Sequence, residues 1–183
     1  MTRTFKTGPV EPAHAARMNL ATALSATGPD PDRNMDLYGR LTGVWDVANR
    51  YRNDDGDWVA GTAVWTFGWV LAGRAVQDVM WFADPGPDGF PVATTGSTMR
   101  LKAAGSDAWH VVWFSPQGRT VTLTGRPGDG GDIVQEGERQ DGTPVRWLFT
   151  EVTSTSFRWL GYMRPAEGEP WELEQEMLAR RRP

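Results

Sequence analysis

The sequence predicts an all-β protein, an antiparallel up-and-down β-barrel of about ten strands preceded by an N-terminal helical extension. Three observations predict it. From Gly43 onward, large apolar residues recur at alternate positions, the period of a strand whose two faces differ. The alternating segments are short and separated by turns of hairpin length, and 21 Gly and 13 Pro supply the punctuation. No helical pattern of useful length interrupts them, so each strand pairs with the next as a meander. A meander of about ten strands escapes its own edges by closing into a barrel, with a two-sheet sandwich as the alternative.

Taken in order, residues 1–10 read as a loose tail and residues 11–25 (EPAHAARMNLATALS) as an Ala-rich helix with Pro12 near its start. Gly28, Pro29 and Pro31 end it, and a helical turn follows over 33–40 with Asp32 as cap. The expected division is an extension over 1–35 and a barrel over 36–183. Trp45, Val47, Asn49 and Tyr51 share one face of the first strand, which ends at the turn NDDGD, 53–57. The second strand carries Trp65, Phe67 and Trp69 on one face, and Leu71-Ala72-Gly73 turns the chain into a third strand over 74–83, which includes Asp78 and Trp81. After the loop DPGPDGFP, strands are expected over 96–103, 108–114, 119–124, 132–139, 144–151, 155–162 and 171–179. In the last of these, Glu172, Glu174 and Glu176 alternate with Leu173 and Met177, and are expected to form a solvated outer face.

Composition narrows the function classes. A net charge of −4 and a pI of about 5.2 give no electrostatic footprint for a phosphate backbone, so no nucleic-acid partner is expected. There is no cysteine, which removes thiolate nucleophiles and zinc–cysteine sites and suits the cytoplasm, the expected location. No run approaches the length of a membrane-spanning helix and the N-terminus lacks an apolar secretory core, so no membrane partner is expected. With only two His and no HxH or HExxH spacing, no metal site is expected; no Gly-rich phosphate loop or GxSxG elbow occurs, and no cofactor is expected.

Ten Trp in 183 residues is the most informative number. A barrel of eight to ten strands fills its interior with side chains or keeps room for one small ligand. Trp65, Phe67, Trp69, Trp81, Trp113, Trp147 and Trp159 are candidates to line such a space and to bind a hydrophobic or aromatic molecule. The alternative is that these rings simply make the core. Arg100 and Arg158 lie in strands beside apolar residues; pointing inward, either would bind a ligand oxygen, and pointing outward each would be an ordinary surface arginine. His110, Asp78 and Tyr51 are the candidate catalytic groups, each conditional on facing the interior.

A family resemblance rests on these same residues. Leu41-Thr42-Gly43-Val44-Trp45 opens the first strand after a helical turn, and Gly-X-Trp in that setting resembles the start of lipocalins and the wider calycin superfamily. The order that follows is similar to a bacterial family of uncharacterised calycin-like proteins over roughly residues 36–182: VWTFGWVLAGRAV, the Trp81 strand, STMRL, WHVVW, WLF, SFRWLG and a final strand ending in arginines. The resemblance implies a barrel with a ligand cavity. It also implies that Trp45 packs against one of Arg180, Arg181 or Arg182 to close one end. The nitrobindin-like relatives hold haem through a late His; no His follows residue 110 here, so haem is not expected.

The expected function is binding of a hydrophobic or aromatic small molecule in the cavity. The alternative is a cofactor-independent enzyme, an isomerase, cyclase or dehydratase, acting on a hydrophobic intermediate of secondary metabolism held there. A third reading is a dimeric interaction protein whose barrel is packed solid. The extension caps the barrel or packs on a partner subunit, which makes a homodimer one expectation.

Overall fold

The computed structural model describes residues 20–82 and 94–183. The expected tail over 1–10, most of the helix over 11–25, and the loop after Trp81 lie outside those residues. A short helix α1 (Leu20–Leu24) leads into a two-residue strand β1 (Ser25–Ala26), and a single helical turn α2 (Asp36–Gly39) precedes the barrel. Ten strands follow: β2 (Gly43–Arg52), β3 (Trp58–Val70), β4 (Ala75–Phe82), β5 (Thr94–Lys102), β6 (Trp109–Phe114), β7 (Thr120–Pro127), β8 (Ile133–Arg139), β9 (Pro144–Thr150), β10 (Ser156–Met163) and β11 (Glu172–Arg181). All pairings are antiparallel. The order runs β3-β2-β11-β10-β9-β8-β7-β6-β5-β4, and β4 pairs back onto β3, so the sheet is closed. Closure leaves none of the ten barrel strands with an unpaired edge.

Period-two alternation decides which side chains go in. On β2, Trp45, Val47 and Asn49 are buried while Asp46, Ala48 and Arg50 are exposed. On β6, Trp109 and Val111 are buried while His110, Val112 and Phe114 are exposed. One end of the barrel is filled solid. Trp45 stacks edge-on to Phe157, Trp65 lies against Phe67 and Phe149, and Tyr38 from α2 drops in against Trp109 at 4.9 Å between ring centres. Such ring pairs each add about 0.5–1.5 kcal/mol beyond their burial. The segment 20–42 seals this end. Asp30 donates its backbone N–H to Gly73 O, its carboxylate accepts from Arg74 Nε at 2.8 Å, and β1 pairs with the end of β3.

Two details of the expected elements change. Asp32 does not cap the helical turn; Asn34 Oδ1 accepts the Asp36 N–H at 3.0 Å, because α2 begins later than the sequence pattern indicates. The three glutamates of the last strand do not form one solvated face. The β10–β11 register shifts between Gly161 and Tyr162, and a bulge of this kind re-aims side chains. Glu174 therefore turns to the barrel mouth and binds Arg139, while Glu176 is 8% exposed and held between Arg50 and Arg158.

Candidate functional site

The filled end stops partway up the barrel. Beyond it, toward the ends where β2 leaves and β3 enters, lies a cavity of about 820 Å³, opening at the mouth. That size is within the range of small-molecule sites. Its walls are aromatic. Trp113 on β6, Trp147 on β9 and Trp159 on β10 stand side by side, with ring centres 6.3 Å and 5.5 Å apart, and Trp65 faces them from β3. Met80 and Met177 also line the cavity. Trp113 can sit flat against the backbone because Gly96 has no side chain: a Cβ there would lie 2.3 Å from Trp113 Nε1.

The floor carries charge. Asp78 on β4 is 2% exposed and Arg100 on β5 is 1% exposed, and Arg100 Nη1 donates to Asp78 Oδ2 at 2.5 Å. Asp78 Oδ1 also accepts the backbone N–H of Thr98 at 3.1 Å. The guanidinium of Arg100 rests among Tyr38, Phe67 and Phe149, with its carbon 5.1, 5.3 and 5.7 Å from their ring centres. Beneath it, Tyr38 donates its hydroxyl to Gln135 Oε1 at 3.1 Å, and burial pushes the Tyr38 hydroxyl pKa well above its ordinary value, despite the opposing pull of Arg100. Two floor donors have no partner among the described residues: Arg100 Nε and Trp65 Nε1. The rim is formed by Tyr51, Arg52, Asp54, Arg119, Arg139, Asp141 and Glu174.

The candidates from sequence therefore separate. Asp78, Arg100, Trp65, Trp113, Trp147 and Trp159 line the cavity, and Tyr51 stands at its mouth. Phe67 is one layer below, in the packed floor. Trp69 faces inward at the sealed end, where its ring occupies the space a side chain on Gly39 would need, so it lies away from the cavity. Trp81 pairs with Val64 on the outer face, one position out of phase with the inward Met80. Arg158 is also outside, bound to Glu176 and Glu151. His110 is exposed on the outer face of β6 because its neighbours Trp109 and Val111 take the interior; it does not meet Asp78 or Tyr51. Thr98, Gln175, Met80 and Met177 line the cavity without having been singled out. The pairing of Trp159 with Met177 would have found one of them, once the inward face of β10 was known. The rim residues sit in or beside turns, where alternation says nothing.

Among the described residues, no group of three or more His, Asp or Glu side chains could hold a metal ion, and no helix is long and apolar enough to cross a membrane.

No family model matches the chain, and no curated protein matches it. Solved structures do. The S-type phycobiliprotein lyase CPES from Guillardia theta superimposes with a TM-score of 0.59 at 10% identity, over 81% of this chain and 92% of its own. Rv2717c from M. tuberculosis superimposes with a TM-score of 0.58 at 13% identity, over 85% of this chain and 99% of its own. At such identities the likeness is one of fold, and the chain shares with both the ten-strand lipocalin/calycin-like β-barrel.

Proposed function

We propose that this protein binds a hydrophobic, aromatic small molecule in the barrel cavity. One observation carries the reading: four tryptophans, Trp65, Trp113, Trp147 and Trp159, line about 820 Å³ that no side chain of the described residues fills, above a floor that is already packed. A barrel serving only as a scaffold would close on these rings as it does on Trp45 and Trp109, because an unfilled apolar wall forfeits contacts. Rings at the spacing of Trp113, Trp147 and Trp159, inclined to one another by 87° and 59°, suit an aromatic ligand, which gains burial together with face and edge contacts.

A second reading, a cofactor-independent enzyme using the same cavity, is favoured by Asp78. A carboxylate at the floor of an aromatic chamber is placed to accept a proton from a bound substrate. One structural neighbour is a lyase by name, so this fold accommodates catalysis.

Native mass spectrometry of the purified protein tests the binding reading, with the denatured mass as reference. The expected result is an adduct of a few hundred daltons that is lost on unfolding. If the protein instead stays apo in native spectra, and aromatic probes leave its tryptophan fluorescence unchanged, the binding reading fails.

A further inference from the structure

We infer that the cavity floor recognises one kind of ligand edge: a hydroxyl or N–H donor next to a carbonyl, on an uncharged planar molecule. The inference rests on the binding reading above and specifies the ligand's chemistry.

The argument starts from unspent hydrogen-bonding capacity. An ionised carboxylate offers about four lone-pair sites, and Asp78 uses one for the Thr98 N–H and one for Arg100. Its remaining sites are acceptors and ask for a donor. A guanidinium carries five N–H groups; Arg100 gives one to Asp78, and its Nε is buried without a partner. Trp65, which also lines the cavity, has an unpartnered Nε1–H. A buried donor left unpaired is costly, so these groups ask for an acceptor. Asp78 and Arg100 are joined by a hydrogen bond, so the free acceptor sites of the one and the free donor of the other are neighbours. The complement of that pair is an adjacent donor and carbonyl, as in an enolised diketone, a hydroxyflavonoid or a lactam.

The charge balance argues that this edge belongs to a neutral molecule. The residues lining the cavity include Arg52, Arg100, Arg119 and Arg139, matched by Asp54, Asp78, Asp141 and Glu174. Arg100, the one deep cation among them, already has a carboxylate partner. A carboxylate ligand would meet Asp78 at the floor, and like charges at close range are repelled.

The test uses the intact protein with two commercial probes, 3-hydroxyflavone and flavone. They share a planar skeleton, but only the first has a hydroxyl beside its carbonyl. Tryptophan quenching should show both binding, with 3-hydroxyflavone at least ~10-fold tighter, the size expected of a hydrogen bond to a charged group. A second signature needs no variant. Free of outside partners, 3-hydroxyflavone emits mainly from a proton-transferred tautomer, and a hydroxyl captured by Asp78 should suppress that band. Asp78→Asn should remove the preference, so that 3-hydroxyflavone binds no tighter than flavone, and should restore the tautomer band of any bound 3-hydroxyflavone. Equal affinities with an intact tautomer band would overturn the recognition of the edge and leave the binding reading standing. Binding of neither probe would overturn the inference along with the planar ligand it assumes, and the adduct measurement then decides whether the cavity binds anything else.

Discussion

Arg181 lays its guanidinium 4.1 Å from the centre of the Trp45 ring and donates to three backbone oxygens, those of Thr42, Arg40 and Ser154. Trp45 in turn donates its indole N–H to Leu41 O at 2.7 Å. The two residues are cross-strand partners on β2 and β11, the first and last strands of the barrel, and together they lock the sealed end to the segment that plugs it. Of the three arginines at the C-terminus, alternation selects this one: Arg180 and Arg182 fall on the outer phase, where Arg182 binds Asp46.

Arg181→Met should therefore cost about 2–3 kcal/mol, the sum of a stacked cation and charge-assisted hydrogen bonds partly replaced by water. Urea melts should register it, and the melting temperature should fall by roughly 5–10 °C. Arg181→Lys should restore less than half, because one ammonium cannot span three carbonyls while lying flat on a ring. Aromatic-probe affinity should not change, since the cavity opens at the other end.

The contact between Tyr38 and Gly125 gives a second prediction. A Cβ on Gly125 would lie 2.1 Å from the Tyr38 hydroxyl oxygen, so β7 must carry a glycine where the helical turn inserts its ring. Gly125→Ala should cost about 1–3 kcal/mol through overpacking. In the Tyr38→Phe background the same change should cost clearly less, because the atom it strikes is gone. Additive effects in this double-mutant cycle would show that the alanine acts elsewhere.

These cases mark what was legible in the sequence. The ten strands, the hairpin at 53–57 and the Leu71-Ala72-Gly73 turn follow from alternation and turn residues, which are local. The inward face of each strand is a collective property. His110 and Trp109 are neighbours on one strand, and only the packing of all ten strands decides that the ring goes in and the imidazole goes out. Once Trp45 is fixed inward, pairing carries the phase around the barrel from β2 to Trp65, Met80, Gly96 and onward. A bulge breaks that phase, which is why Glu174 reached the rim unforeseen.

The turn between β3 and β4 is strained. Leu71 and Ala72 have φ of 52° and 55° and Gly73 has 78°, with Gly73 N–H bonded to Val70 O and Arg74 N–H to Leu71 O, so the connection between the paired Val70 and Ala75 is a left-handed turn. Asn and Gly adopt this conformation readily, whereas another side chain held at positive φ costs on the order of 1 kcal/mol per residue. The double change Leu71→Asn with Ala72→Gly should raise stability by about 1 kcal/mol, seen as a higher midpoint in urea. The backbone N–H of Leu71, which holds Leu24 O, is retained.

Glu176 should make stability depend on pH in acid. Burial opposes its ionisation, but hydrogen bonds from Arg158 and Arg50 outweigh burial and hold its pKa below the ordinary 4.5. A carboxyl with a depressed folded pKa stabilises fully above its unfolded value, and that stabilisation is lost as pH falls through the folded value. Glu176→Gln should therefore be clearly less stable than wild type at neutral pH. The gap should close progressively below pH 4.5. A gap constant across that window would mean the ion pairs with Arg50 and Arg158 contribute nothing net.

The last prediction separates cavity from surface. Gly96 allows Trp113 to lie against β5, since a Cβ at that position would be 2.3 Å from the indole nitrogen. Gly96→Ala should push the ring toward Trp147 and into the open volume, narrowing the cavity on the side where three tryptophans stand together. Probe affinity should fall by about tenfold or more, the effect of displacing one wall of a stacked site. His110→Ala, on the outer face of the adjacent strand, should leave affinity unchanged. The pair is informative because Gly96 and His110 belong to neighbouring strands, so a general loosening of this side of the barrel would move both. A loss confined to Gly96→Ala locates the ligand against Trp113; a loss in His110→Ala alone would place it on the outer surface of β6.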